Sequence, residues 1–148
     1  MLTAAYLGVR FQKVHQMSID PTEHAPNESW LLFQLNDFPV RTEQDGDFNV
    51  LAIMDVATGI ILGMEFMGLT EIEPSEFTSR KLLASAESKA GQRPRRVYVE
   101  AAAKLAQFAA AAISLGLEIS AESLEMLSPL TQEAREGFAA HISGGQEN

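Results

Sequence analysis

The stretch that most constrains the fold is Asn49 to Met67, NVLAIMDVATGIILGMEFM. Two short apolar runs, Val50 to Asp55 and Ile60 to Phe66, flank the segment Val56-Ala57-Thr58-Gly59. Thr58-Gly59 supplies turn chemistry, and runs of this length bounded by a turn predict two strands folded back on each other. Their Val, Ile, Leu and Met content predicts burial on both faces, as in a central sheet covered by helices.

The neighbouring segments extend the pattern. Trp30 to Leu35 is a compact apolar run and predicts a strand ended by Asp37-Phe38-Pro39. Thr42 to Asp47 (TEQDGD) reads as a solvated turn, because it lacks the alternating oxygen ligands and closing Glu of a calcium loop. Thr70 to Ser75 predicts the start of a helix carrying Leu82, Leu83, Ala86 and Ala90 on one face, with Gly91 as its stop. Arg95 to Glu100 predicts a short strand, Ala101 to Leu115 a helix stopped by Gly116, and Leu117 to Ser120 another strand. Ser120 to Leu127 reads as a single helical turn. Ser128-Pro129 then predicts a fresh helix start, with the serine as N-cap and the proline at the first position. Leu130, Ala134, Phe138 and Ile142 recur at spacing four along that last helix.

A length of 148 residues suits one domain. The expected organisation is an N-terminal extension over residues 1–29, a domain over 30–142 and a disordered tail over 143–148. Residues 18–29 carry two prolines and read as a loop. No apolar run approaches the roughly 20 residues that span a bilayer. The order of apolar and basic residues at the N-terminus is the reverse of a secretory signal. With no cysteine in the chain, disulfides and thiolate chemistry are excluded. A cytoplasmic protein is the expectation.

The formal net charge is −9, which disfavours binding to nucleic acid through its phosphates. Six of the eleven basic residues nevertheless lie between Arg80 and Arg96. Within that run Arg93, Arg95 and Arg96 are anion-binding candidates, weighed against a solvated helix end. His15 and His24 are nine residues apart, without metal-ligand spacing, and are expected to be exposed loop residues. His141 is expected to be partly buried or on the surface.

The coarse order β-β-β-α-β-α-β-α resembles the ribonuclease H-like superfamily, which includes retroviral integrases and DDE transposases. The matching pieces are Trp30 before the first strand's polar position, the hairpin Asp55-Val56-Ala57-Thr58-Gly59-Ile60-Ile61-Leu62-Gly63, and the strand Pro94-Arg95-Arg96-Val97-Tyr98-Val99-Glu100. The resemblance covers about residues 30–142. It implies an α/β fold with a mixed five-stranded sheet, three antiparallel strands followed by β-α-β units, flanked by helices. It also implies a possible chemistry: two divalent ions, Mg or Mn, held by carboxylates on the first strand, at the end of the fourth strand and on a helix.

Glu100 stands where the resemblance puts the second acid, and Glu133 and Glu136 are candidates for the third. The first strand offers Gln34 in place of an acid, with Asp37 three residues beyond. A neutral amide holds a divalent ion far less well than a carboxylate. Glu100 is therefore weighed against a carboxylate that merely complements a helix N-terminus. Asp55 is read as a turn-capping carboxylate, and Trp30 as packing at the sheet edge. The preferred expectation is a non-catalytic binding or interaction module without a cofactor. The alternative is a metal-dependent nuclease or phosphodiester transferase using Asp37, Glu100 and Glu133 or Glu136. An actin-like ATPase fragment is disfavoured by the lack of glycine-rich phosphate loops. A homodimer or a protein partner is expected, nucleic acid is disfavoured, and no membrane association is expected.

Overall fold

A computed structural model describes residues 19–43 and 46–146, with side chains described as far as residue 142. After a 3-10 turn at Pro21–Glu23 come the strands β1 (Ser29–Gln34), β2 (Phe48–Asp55) and β3 (Ile61–Gly68). Helix α1 (Glu76–Ala90), strand β4 (Arg96–Glu100), helix α2 (Ala106–Ser114), strand β5 (Glu118–Glu122) and helix α3 (Leu124–Gln146) follow. The strands form one sheet in the order β3-β2-β1-β4-β5. The pairs β1/β2 and β2/β3 are antiparallel, and β1/β4 and β4/β5 are parallel. The fold is thus α/β, with the mixed five-stranded sheet and flanking helices that the ribonuclease H-like resemblance implies.

Alternation along the strands sends side chains to two separate cores. Trp30, Leu32, Leu51, Ile53, Val97 and Val99 face α1 and α2, meeting Leu82, Leu83 and Phe108. Leu31, Met54 and Tyr98 face α3 and meet Leu127 and Leu130. Leu35, Val50 and Ala52 continue that second face toward Ala134 and Phe138. Full burial of one such side chain favours folding by about 1.5–3 kcal/mol. Trp30 is 1% exposed and lies on the central strand, so it is not at the sheet edge.

The expected burial of both hairpin strands holds for β2 only. On β3 the outermost position leaves Met64 and Phe66 exposed on the α3 side, and Phe66 meets Phe48 edge-to-face at 4.8 Å. The other side of β3 is covered closely by α1. A Cβ on Gly63 would lie 3.3 Å from the Leu82 carbonyl oxygen, so glycine permits that approach.

Local signals explain the helix ends. Ser75 caps α1 by accepting from the Thr78 N–H at 3.1 Å, and Gly91 closes it at φ 78°. Helix α2 starts at Ala106, not Ala101, and has no side-chain cap of its own at Leu105. Glu73 caps it instead, accepting from the Gln107 N–H at 3.1 Å, while Gln107 Oε1 accepts from the Glu76 N–H at 2.9 Å. Helix α2 and the loop before α1 therefore exchange caps, Glu73 of the loop serving α2 and Gln107 of α2 serving α1.

The expected break at Ser128-Pro129 is absent. Helix α3 runs through Pro129, and β5 extends to Glu122 where a helical turn was expected. The proline forfeits one intrahelical bond, to the carbonyl of exposed Glu125. Burial of Leu127 on one turn and packing of Leu130 on the next hold both sides of that position to the same core.

Candidate functional site

Carboxyl ends of strands in an open α/β sheet are where loops diverge and leave a crevice. Here the ends of β1 and β4 open into a cavity of about 420 Å³. Leu32, Phe33 and Gln34 of β1 and Glu100 of β4 contribute to its base. Ala103, Lys104 and Leu105 come from the segment after β4, and Ile72 and Pro74 from the loop after β3. Helix α3 supplies Leu124, Leu127, Ser128, Thr131 and Arg135. Those five positions follow the 3- and 4-residue steps of one helical stripe.

Glu100 ends β4 and is half-buried in this cleft. A turn follows it and α2 begins only at Ala106, so Glu100 does not sit at a helix N-terminus. That removes the helix-dipole account of this residue. Its carboxylate has no hydrogen bond or ion pair among the described residues, and the same is true of the exposed Lys104 ammonium. Gln34 donates its amide N–H to the Asn36 carbonyl at 2.8 Å.

The other candidate acids lie elsewhere. Asp37 is exposed beyond the end of β1 and is ion-paired with Arg135, joining the loop after β1 to α3. Glu133 lines a different groove, beside Ile19, Met54, Thr58 and Leu130. Glu136 is exposed and accepts from Gln132 Nε2 at 3.1 Å. On a helix advancing about 100° per residue, neither Glu133 nor Glu136 falls on the Thr131–Arg135 stripe. No group of three or more His, Asp or Glu side chains among the described residues is placed to hold a metal ion. Among the described lining residues the cleft offers an amide, two hydroxyls, one carboxylate and two cations, a set poor in the anionic oxygens that Mg or Mn requires.

The three arginines do not converge. Arg93 pairs with Glu87 at 2.7 Å and donates to the Leu115 carbonyl at 3.2 Å. Arg95 is exposed. Arg96 donates to the Tyr98 hydroxyl at 3.3 Å and lies 5.9 Å from that ring's centroid. The Tyr98 hydrogen bond raises the Arg96 pKa against the opposing effect of burial.

Asp55 is a turn-capping residue, 2% exposed. It accepts from Thr58 Oγ1 at 2.8 Å and from the Asn27 N–H at 2.9 Å. His24 departs from expectation. Its side chain is only 11% exposed, with Nδ1 3.1 Å from Ser29 Oγ and 3.4 Å from Glu28. It also meets the Tyr98 ring edge-on. His141 is exposed, and His15 lies outside the described residues.

Sequence reasoning missed Lys104 and Arg135. The signal for Arg135 was present in the stripe Leu124, Leu127, Ser128, Thr131, Arg135. A helix broken at Pro129 concealed it.

No protein-family model matches the chain, and no curated protein matches it. Among solved structures it is similar to a chain of a simian T-cell lymphotropic virus intasome in complex with PP2A regulatory subunit B56 gamma. That similarity has a TM-score of 0.45 and 15% identity over 67% of this chain. This chain covers 35% of that chain's length.

Proposed function

We propose that this is a ribonuclease H-like domain acting as a non-catalytic binding module, with its ligand cleft at the carboxyl ends of β1 and β4. One observation carries the reading: Gln34, Lys104 and Arg135 occupy the cleft, and Glu100 is its one carboxylate among the described lining residues. Positive groups in the cleft repel divalent cations. The net charge of −9 weighs against phosphate-driven nucleic-acid binding, and the lack of cysteine suits a reducing cytoplasm.

Calorimetric titration with manganese and a nuclease assay on the Glu100→Ala variant test this. The expected result is no manganese binding and no cleavage. Manganese-dependent cleavage by the parent protein, lost in Glu100→Ala, would overturn it. That outcome would establish the nuclease reading, with Asp37, Glu100 and Glu133 or Glu136 as the set to dissect. The unpartnered carboxylate of Glu100 is what speaks for that second reading.

A homodimer or protein partner belongs to the same proposal. The surface it would use is the outer edge of β3, an eight-residue strand with Met64 and Phe66 exposed. Light scattering reads the dimer directly, and a monomer mass at working concentration would remove it.

A further inference from the structure

We propose that the cleft binds a small apolar α-amino acid or α-hydroxy acid: a carboxylate flanked by a hydrogen-bond donor, on an apolar body. This rests on the binding-module reading and names the ligand class of the same site.

The charged groups determine the two polar ends of such a ligand. Lys104 has no acidic partner among the described residues. Among the described residues, Arg135 has a buried Nε with no acceptor, and its outer nitrogen holds only Asp37, whose side chain is 59% exposed. Exposed ion pairs are weak, so exchanging Asp37 for a ligand carboxylate costs little. The two cations reach the cavity from different elements, the segment after β4 and helix α3. A carboxylate there would gain charge-assisted bonds from both.

Glu100 sets the rest. A free carboxylate lining the same cavity repels an anion that carries nothing else, and repels a dianion most. It accepts well from an ammonium or hydroxyl next to the ligand's acid. Ser128 adds a hydroxyl without a hydrogen bond of its own among the described residues. The remaining wall includes Leu51, Met67 and Leu127, which suits an apolar side chain. A cavity of about 420 Å³ is of small-molecule size.

NMR-detected titration with four probes in low-salt buffer tests the assignment: phenylalanine, 3-phenylpropanoate, 2-phenylethylamine and phenyl phosphate. Phenylalanine should bind tightest, with each single-group probe about tenfold weaker and phenyl phosphate weakest. Lys104→Gln and Arg135→Gln should weaken phenylalanine and 3-phenylpropanoate but not 2-phenylethylamine, whose ammonium they relieve of repulsion. Glu100→Gln should weaken phenylalanine and 2-phenylethylamine only. Asp37→Asn should tighten phenylalanine severalfold by freeing Arg135, a gain that misfolding would not produce. Equal binding of all four probes, or no binding of any at about 10 mM, overturns the inference. So does an unchanged phenylalanine affinity in Lys104→Gln and Asp37→Asn. These failures leave the binding-module reading standing, because it falls only to the manganese-dependent cleavage described above.

Discussion

Helix α3 separates two grooves of opposite electrical character. The cleft on one side takes Leu124, Leu127, Ser128, Thr131 and Arg135 from it, and adds Lys104 and Glu100. The groove on the other side, about 570 Å³, takes Pro129, Leu130 and Glu133. Among the described residues its charged lining is Asp20 and Glu133, both acidic. A shift of two positions along a helix turns a side chain by about 200°. Thr131 and Glu133 therefore serve different surfaces although they are neighbours in sequence. Proximity in the chain is a poor guide to a shared site on a helix; phase is the better one.

The two sides of α3 should differ most at the residues that seat it. Leu127 is 4% exposed and lines the cleft, whereas Leu130 is only partly buried beside the second groove. Leu127→Ala should destabilise the protein by about 2–5 kcal/mol in urea melts. Leu130→Ala should cost roughly half as much or less, since less of its side chain leaves water on folding. Equal losses would mean that the two sides of α3 are seated alike.

Asp55 stands behind the second groove, where Thr58 and Gly59 contribute to the wall. Asp55→Ala leaves the Asn27 N–H and Thr58 hydroxyl without their acceptor, and should cost about 1–3 kcal/mol by thermal or urea unfolding. Asp37→Asn, at the cleft, should cost no more than about 1 kcal/mol because its pair with Arg135 is solvent-screened. A larger loss there would show that the pair holds α3 in place.

The smallest expected effect is a pH dependence near the second groove. Asp20 accepts from Thr22 Oγ1 at 2.6 Å and from the Thr22 N–H at 2.9 Å, and these bonds lower its pKa from 3.8. Its stabilising contribution is therefore present above that value and is lost as pH falls through the lower folded-state value. Asp20→Asn should slightly flatten the acid limb of stability against pH. An unchanged limb would show that these bonds do not persist in solution.

The sheet was largely legible in the sequence because its signals are local. The apolar runs at Trp30, Val50 and Ile60 and the turn at Thr58-Gly59 identify a meander without reference to distant residues. Ser75 and Gly91 bound α1 in the same way. The site was less legible, because its geometry is not local. Glu100 was placed correctly at a strand end. Gln34, read as a polar position within the first strand, instead closes β1, and the partner of Asp37 lies 98 residues away, on α3. Pro129 suggested a helix boundary that tertiary packing overrides, and with it went the phase that assigns Arg135 to the cleft. The cap on α2 was hidden similarly, since Glu73 belongs to another loop.

The strand order has a consequence for assembly on the ribosome. The meander β1-β2-β3 uses neighbouring segments and can pair as soon as it emerges. Strand β1, central in the finished sheet, must then keep one edge free until β4 arrives, and most of one face uncovered until α3 arrives. Both walls of the cleft meet only at that last step. A nascent chain stalled before Leu124 would thus hold most of the sheet and no binding site, with the apolar face of β1 and β2 offered to chaperones.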